Sequence, residues 1–279
     1  ARAPRRATSR RRRCRCGRWG NRLVYRAVDL GERIFLNGVN EIRHELGLPS
    51  VKAGATRREQ NQRQWPILHG FSEHVVPRPR DWRPGLDVTG YWFPRLQTEW
   101  ELPEQLRDFL ADGPPPVYFG YGSGSSNQGG RLAELTQEIA RKAGVRAVVS
   151  GLEVDGDDMI GVGHVDFDWL FPQMAALVHH GGAGTTALGL WSGTPAVTVP
   201  LFVDQHFWGP RLVKLGASPD SIRYQKLDVD RLATAIRRAI DDPSYRARTR
   251  QLSERIQDED GCGPVVKLVD RLASARAVR

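Results

Sequence analysis

Three cysteines among 279 residues, and no apolar run near the roughly 20 residues that a bilayer-spanning helix requires, set the first limits on this chain. Cys14, Cys16 and Cys262 cannot make a disulfide framework. Cys14-x-Cys16 sits in an arginine run without the further ligands of a tetrahedral zinc site, so no metal is expected there. Reduced thiols and a cytoplasmic location are the corresponding expectations. The N-terminus lacks an apolar h-region and does not read as a secretory signal. No G-x-x-x-x-G-K-[ST] is present, which excludes a P-loop ATPase at motif level. Gly120-x-Gly122-x-x-Ser125 is a defective dinucleotide fingerprint, with no clear acidic ribose ligand about 20 residues on. No cofactor is therefore expected.

A net positive charge is missing from the body of the chain. The net charge is +9, yet residues 1 to 22 hold ten arginines and no acid, leaving 31 Lys and Arg against 32 Asp and Glu in the rest. A folded surface that binds nucleic acid would spread its charge through a domain. The arginines instead form a low-complexity tail over 1–20, which reads as a disordered extension. Such a tail has the composition to touch polyanions or an acidic membrane surface peripherally, and nucleic acid is not an expected partner of the body. An apolar share of 40% and a charged share of 26% fit an ordinary soluble globular protein.

Residues 21–47 carry Leu23, Ala27, Leu30, Ile34, Val39, Ile42 and Leu46 at spacings near three and four, which predicts a helical segment stopped by Gly47 and Pro49. Residues 50–65 read as loop, 86–93 as a strand, and the polar stretch after them as a linker. From Pro114 the pattern is regular. VYFGYGS, VRAVVSG, MIGVGHV, AALVHH and PAVTVP read as strands, and RLAELTQEIARKAG, TTALGLWSG and VDRLATAIRRAI as helices. Strands alternating with helices predict an α/β fold with a parallel sheet covered by helices.

In such a sheet, ligands bind at the carboxyl ends of the strands. Two glycine-rich loops have that position, Gly120 to Ser126 and His180 to Thr186. Glycines let the backbone approach a ligand, and helix N-terminal amides with nearby hydroxyls bind phosphate oxygens. Two loops facing one crevice suit a diphosphate. The first loop alone is also compatible with a plain tight turn. The second has two histidines and two threonines that a turn does not need.

HHGGAGTT, then G-x-P-x-x-x-x-P and D-Q-x-F-W-G, resembles the donor domain of nucleotide-sugar glycosyltransferases with the GT-B fold, in the branch of sterol 3-β-glucosyltransferases and bacterial natural-product glycosyltransferases. FSEHVVPRPRDW, VTGYWF, PPPVYFGYGS and the terminal RIQDEDG fall in the same order as in that family, from about Trp19 onward. The resemblance implies a Rossmann-like donor domain over 113–279, an entry and linker over 85–112, and over 21–84 a remnant of the N-terminal acceptor domain. It also implies that His180, Gly181, Gly182, Gly184, Thr185, Thr186 and, from the first loop, Ser123 hold the donor diphosphate. Asp204 and Gln205 would bind the sugar hydroxyls, and Trp169 or Phe171 would lie near the base, although core packing explains Trp169 equally well. Phe167 stands where the family has a histidine, and Leu188 where related plant enzymes have a ribose-binding glutamate.

The implied activity is inverting, metal-independent transfer of a hexosyl group from a uridine- or thymidine-diphospho sugar to a lipophilic hydroxylated acceptor. The catalytic base is not identified, because in the family it belongs to the acceptor domain. Two other readings stay open: a donor-binding module or remnant without catalysis, and a polyanion binder working through the arginine tail. The sugar, the acceptor and the oligomeric state are not legible.

Overall fold

The structure, a computed structural model, describes residues 30–93, 100–122, 129–154 and 156–277. The chain forms two compact units, the first ending at Ile67 and the second beginning at Leu68.

In the first unit the expected helix is interrupted. Residues 30–32 are helical, 33–35 form a turn, and α1 (Leu36–Glu45) follows. None of its residues is buried, and Val39 and Ile42 are exposed, as is Ile34 in the turn before it, so the periodicity marks a face without a core behind it in the described residues. The Asn40 side chain clamps the chain reversal: Nδ2 donates to the Val51 carbonyl at 3.2 Å and Oδ1 accepts from the Val51 amide at 2.9 Å. The stretch expected as loop instead contains α2 (Ala55–Gln62), preceded by Gly54 at a φ of 68°, whose amide donates to Glu32 Oε2 at 2.7 Å.

Next along the chain is a small two-stranded sheet of β1 (Ile67–His69) and β2 (Leu86–Val88). The expected strand over 86–93 is therefore only three residues long. Within the stretch expected as linker lies α3 (Glu104–Ala111), anchored by the fully buried Leu106. Next come β3 (Val117–Gly120), α4 (Gly129–Ala143), β4 (Ala147–Ser150), β5 (Met159–Val162), the short α5 (Phe167–Leu170), β6 (Ala176–His179), α6 (Ala183–Trp191), β7 (Ala196–Thr198), α7 (Gln205–Leu215), α8 (Val229–Asp241), α9 (Pro243–Gln257) and α10 (Gly263–Ala277).

The five strands β3 to β7 pair in parallel in the order β5-β4-β3-β6-β7. Both faces are covered. Val117 and Phe119 point to one core with Leu132 and Ile139 of α4 and Leu232 and Ile236 of α8. Tyr118 and Leu177 point to the other, with Leu190 of α6, Trp208 and Leu212 of α7, and Leu252 and Ile256 of α9. Burial on both faces explains why β3 and β6 read as continuous apolar runs rather than alternating ones. Asp228 and Asp242 cap α8 and α9 through the Arg231 and Ser244 amides at 2.9 and 3.0 Å. No helix of the described residues is long and apolar enough to cross a membrane.

Candidate functional site

The strand order reverses between β3 and β6, and both glycine-rich loops leave the sheet there. Gly120 ends β3 directly opposite His179, which ends β6. The crevice at such a reversal is where open α/β sheets take ligands. The His180 amide crosses it, donating to the Gly120 carbonyl at 3.2 Å. Ser123 and its neighbours in the first loop lie outside the described residues.

Glycines shape the slot for the His180 ring. A Cβ on Gly122 would come within 3.0 Å of both Cε1 and Nδ1 of His180, and one on Gly182 would strike its Nε2. Gly181 turns the chain between β6 and α6 at a φ of 81°, a left-handed conformation that favours glycine. Beyond it α6 starts without any side-chain cap, and the first helical bond is from the Thr186 amide to the Gly182 carbonyl at 2.9 Å. The amides of Ala183, Gly184 and Thr185 thus carry the positive end of the helix toward the crevice. Thr185 is half-buried, whereas Thr186 is buried with no hydrogen-bond partner for its hydroxyl among the described residues.

Burial shifts both histidines toward the neutral form. Burial, assisted by the neighbouring His180, pushes His179 down to about 3. Burial also lowers His180, opposed by the Gly120 backbone and by the Asp204 carboxylate. The geometry joins the two segments one residue further on, where a Cβ on Gly181 would lie 3.3 Å from the backbone carbonyl oxygen of Gln205. Asp204 is exposed and does not cap α7. Gln205 is buried, and its Oε1 accepts from the Leu201 and Phe202 amides at 2.8 and 3.2 Å. The side-chain carbonyl of Gln205 thus holds its own loop. Just ahead, Val203 has a φ of 49°, an unfavourable left-handed conformation for a β-branched residue.

A cavity of about 550 Å³ adjoins the first turn of α6. One wall is α6 itself, with Ala183 and Gly184 and, a turn later, Ala187 and Leu188. The second is His164 to Asp168. The third is aromatic, with Phe71, Tyr91, Trp92, Phe93 and Trp208 beside Gly70. A Cβ on Gly70 would come within 2.8 Å of the Trp92 ring, so glycine is needed for that wall.

The two aromatic residues expected near a base, Trp169 and Phe171, do not line this cavity. Phe171 is fully buried, stacked on Phe167 at 4.8 Å and packed on Tyr118 at 5.0 Å, so it is core. Trp169 packs on Trp100 at 5.3 Å and is not part of the cavity wall. Their neighbour Phe167 is. The sequence reading did not single out Tyr91 to Phe93, which line the cavity. The signal was there: three successive aromatics cannot all point into a core from one extended segment, and Trp92 is 46% exposed. Among the described residues no cluster of His, Cys, Asp or Glu is arranged to hold a metal ion.

Residues 130–272 match the erythromycin biosynthesis protein CIII-like C-terminal domain family. The chain is 38% identical over 242 residues to O-mycaminosyltylonolide 6-deoxyallosyltransferase of Streptomyces fradiae, covering 85% of this chain and 57% of that protein. It is 33% identical over 261 residues to a sterol 3-beta-glucosyltransferase of Arabidopsis thaliana, covering 89% of this chain and 40% of that protein. The chain thus spans about half the length of these relatives. Among solved structures, the kitacinnamycin glycotransferase superposes with a TM-score of 0.65 at 18% identity, over 91% of this chain and 67% of that one. The glycosyltransferase VinC, solved in complex with DTDP, superposes with a TM-score of 0.51 at 25% identity, over 60% and 44%. With a parallel sheet flanked by helices, the fold of the GT-B glycosyltransferases, the chain belongs to the erythromycin biosynthesis protein CIII-like C-terminal domain family.

Proposed function

We propose that this chain is the donor-binding half of a glycosyltransferase that moves a hexosyl group from a uridine- or thymidine-diphospho sugar to a hydroxyl of a lipophilic acceptor, such as a sterol or a secondary metabolite, with inversion and without a metal. The observation that carries the reading is the uncapped first turn of α6, set beside the His180 slot and on the wall of an aromatic cavity. A diphosphate on the amides of residues 183–185 meets the positive end of the helix. Gly181, Gly182 and Gly184 let it approach, and Thr185, Thr186 and Ser123 supply hydroxyls. The nucleoside then occupies the cavity, with its base among the aromatic side chains and its ribose along Leu188.

In the reaction, the acceptor oxygen forms a bond to the anomeric carbon as the bond from that carbon to the phosphate oxygen breaks. Negative charge grows on the departing diphosphate, where the helix amides and a hydrogen bond from the His180 ring stabilise it. Asp204 accepts from sugar hydroxyls and Gln205 donates to one through Nε2, its Oε1 being committed to the loop. In this reading residues 113–279 are the donor domain, 85–112 its entry, and 21–84 part of the acceptor side.

A second reading, donor binding without turnover, is favoured by the match itself, since the matching family is a C-terminal domain. Calorimetry with uridine-diphosphate glucose, beside a transfer assay on a sterol, separates the two. Binding with transfer supports the first reading, binding alone supports the second, and no binding removes both.

A further inference from the structure

His179 is the one polar residue of β6, whose other members are Ala176, Leu177 and Val178. It is fully buried, and its Nε2 finds no hydrogen-bond partner among the described residues. An imidazole with one orphaned nitrogen is a costly way to fill a core position that a leucine would fill well. Its other nitrogen has a definite task. The Gly181 amide donates to His179 Nδ1 at 3.1 Å.

Gly181 is the hinge of the site. It turns the chain at a φ of 81°, and its outer side packs so closely on Gln205 that a Cβ would lie 3.3 Å from the Gln205 carbonyl oxygen. The Gly181 peptide is thus held between the His179 ring on one side and the sugar-binding pair on the other. His180 precedes it, and the α6 amides follow.

We propose that His179 is a positioning residue for donor binding, its Nδ1 fixing the Gly181 amide so that the loop presents His180 and the first turn of α6 to the diphosphate and keeps them in register with Asp204 and Gln205. This rests on the reading of residues 180–186 as the diphosphate site. Only a neutral imidazole with its proton on Nε2 can accept at Nδ1, and the burial that holds His179 neutral down to about 3 maintains that state.

Two near-isosteric variants of the full chain separate this role from simple core filling. In His179→Asn the amide oxygen stands where Nδ1 stood and can accept from Gly181. In His179→Gln the terminal amide reaches the Nε2 position and leaves Gly181 unbonded. Amide hydrogen exchange at Gly181 and titration with uridine diphosphate and with thymidine diphosphate are the readouts. His179→Gln is expected to lose protection at Gly181 and to weaken the nucleotide about tenfold or more, whereas His179→Asn keeps protection and binds within about threefold of wild type. Equal weakening in both variants, or wild-type behaviour in both, overturns the inference. If either variant fails to fold, nitrogen NMR of wild-type His179 decides: a proton on Nε2 supports the inference and a proton on Nδ1 overturns it. A wild-type chain that protects Gly181 but binds neither nucleotide overturns the diphosphate reading, while the His179–Gly181 contact is still judged by exchange.

Discussion

The ring of His180 occupies the space that a side chain on Gly182 would need: a Cβ built there strikes Nε2 directly. Gly182 itself has a φ of −63° and a ψ of 150°, which any residue adopts. Its glycine identity therefore serves the histidine and not the backbone. The nitrogen against which Gly182 packs is the one turned toward the start of α6, where the amides lack a cap.

Replacing Gly182 by alanine should act on the ligand and spare the fold. The added methyl displaces the ring without straining the chain, so nucleotide diphosphate affinity is expected to fall about tenfold, equivalent to about 1.4 kcal/mol, with the melting temperature moved by only a few degrees. Calorimetry and thermal unfolding of Gly182→Ala check this. Wild-type affinity would remove His180 from the diphosphate contact.

Binding should take up protons. Burial lowers His180 in the free protein, and an anion placed beside the ring favours its charged form and raises its pKa. The complex then holds more protons than the free chain, so affinity rises as pH falls from neutral into the range where His180 titrates. Calorimetry in two buffers of different ionisation enthalpy measures the uptake. It should be positive in wild type and absent in His180→Ala.

Acid should destabilise the fold through His179. Its folded value of about 3 lies below the ordinary 6.5, so the unfolded chain binds the extra proton between those limits. The stability this neutral ring contributes is complete above about 6.5 and is lost progressively as pH falls toward about 3, at about 1.4 kcal/mol per unit. Denaturant titrations across pH 7 to 4 should show a shallower loss in His179→Asn, which has no proton to gain.

Gln205 combines two roles that one substitution can divide. Its Oε1 accepts two loop amides, and in the proposed site its Nε2 donates to a sugar hydroxyl. Gln205→Glu keeps the acceptor and removes the donor, so the melting temperature should hold while the preference for the nucleotide sugar over the bare nucleotide shrinks. Gln205→Leu removes both and should also cost about 1–3 kcal/mol of stability through the orphaned amides.

The central sheet was legible because β3, β6 and β7 are short apolar runs and α4 and α8 carry clear apolar stripes. What escaped did so for physical reasons. α9 buries Thr249 and Ser253 beside Leu252 and Ile256, so half its core face is polar by residue type. α7 carries Gly209 and Pro210 in its interior, which read as breakers. α3 lies in a stretch whose polar composition suggested a linker. At the site, Phe171 and Trp169 are aromatic in sequence, but Phe171 faces the core and Trp169 pairs with Trp100; only the fold tells them from Phe167 and Trp92, which line the cavity.

The central claim is that residues 180–186 hold the diphosphate of a sugar donor. Calorimetric titration of the full chain with uridine- and thymidine-diphosphate glucose, repeated on His180→Ala, tests it most directly. The account predicts one donor bound per chain and an affinity about tenfold or more weaker in the variant, as for loss of a charge-assisted hydrogen bond. Absence of binding by the wild-type chain, or equal affinity in His180→Ala, would contradict it.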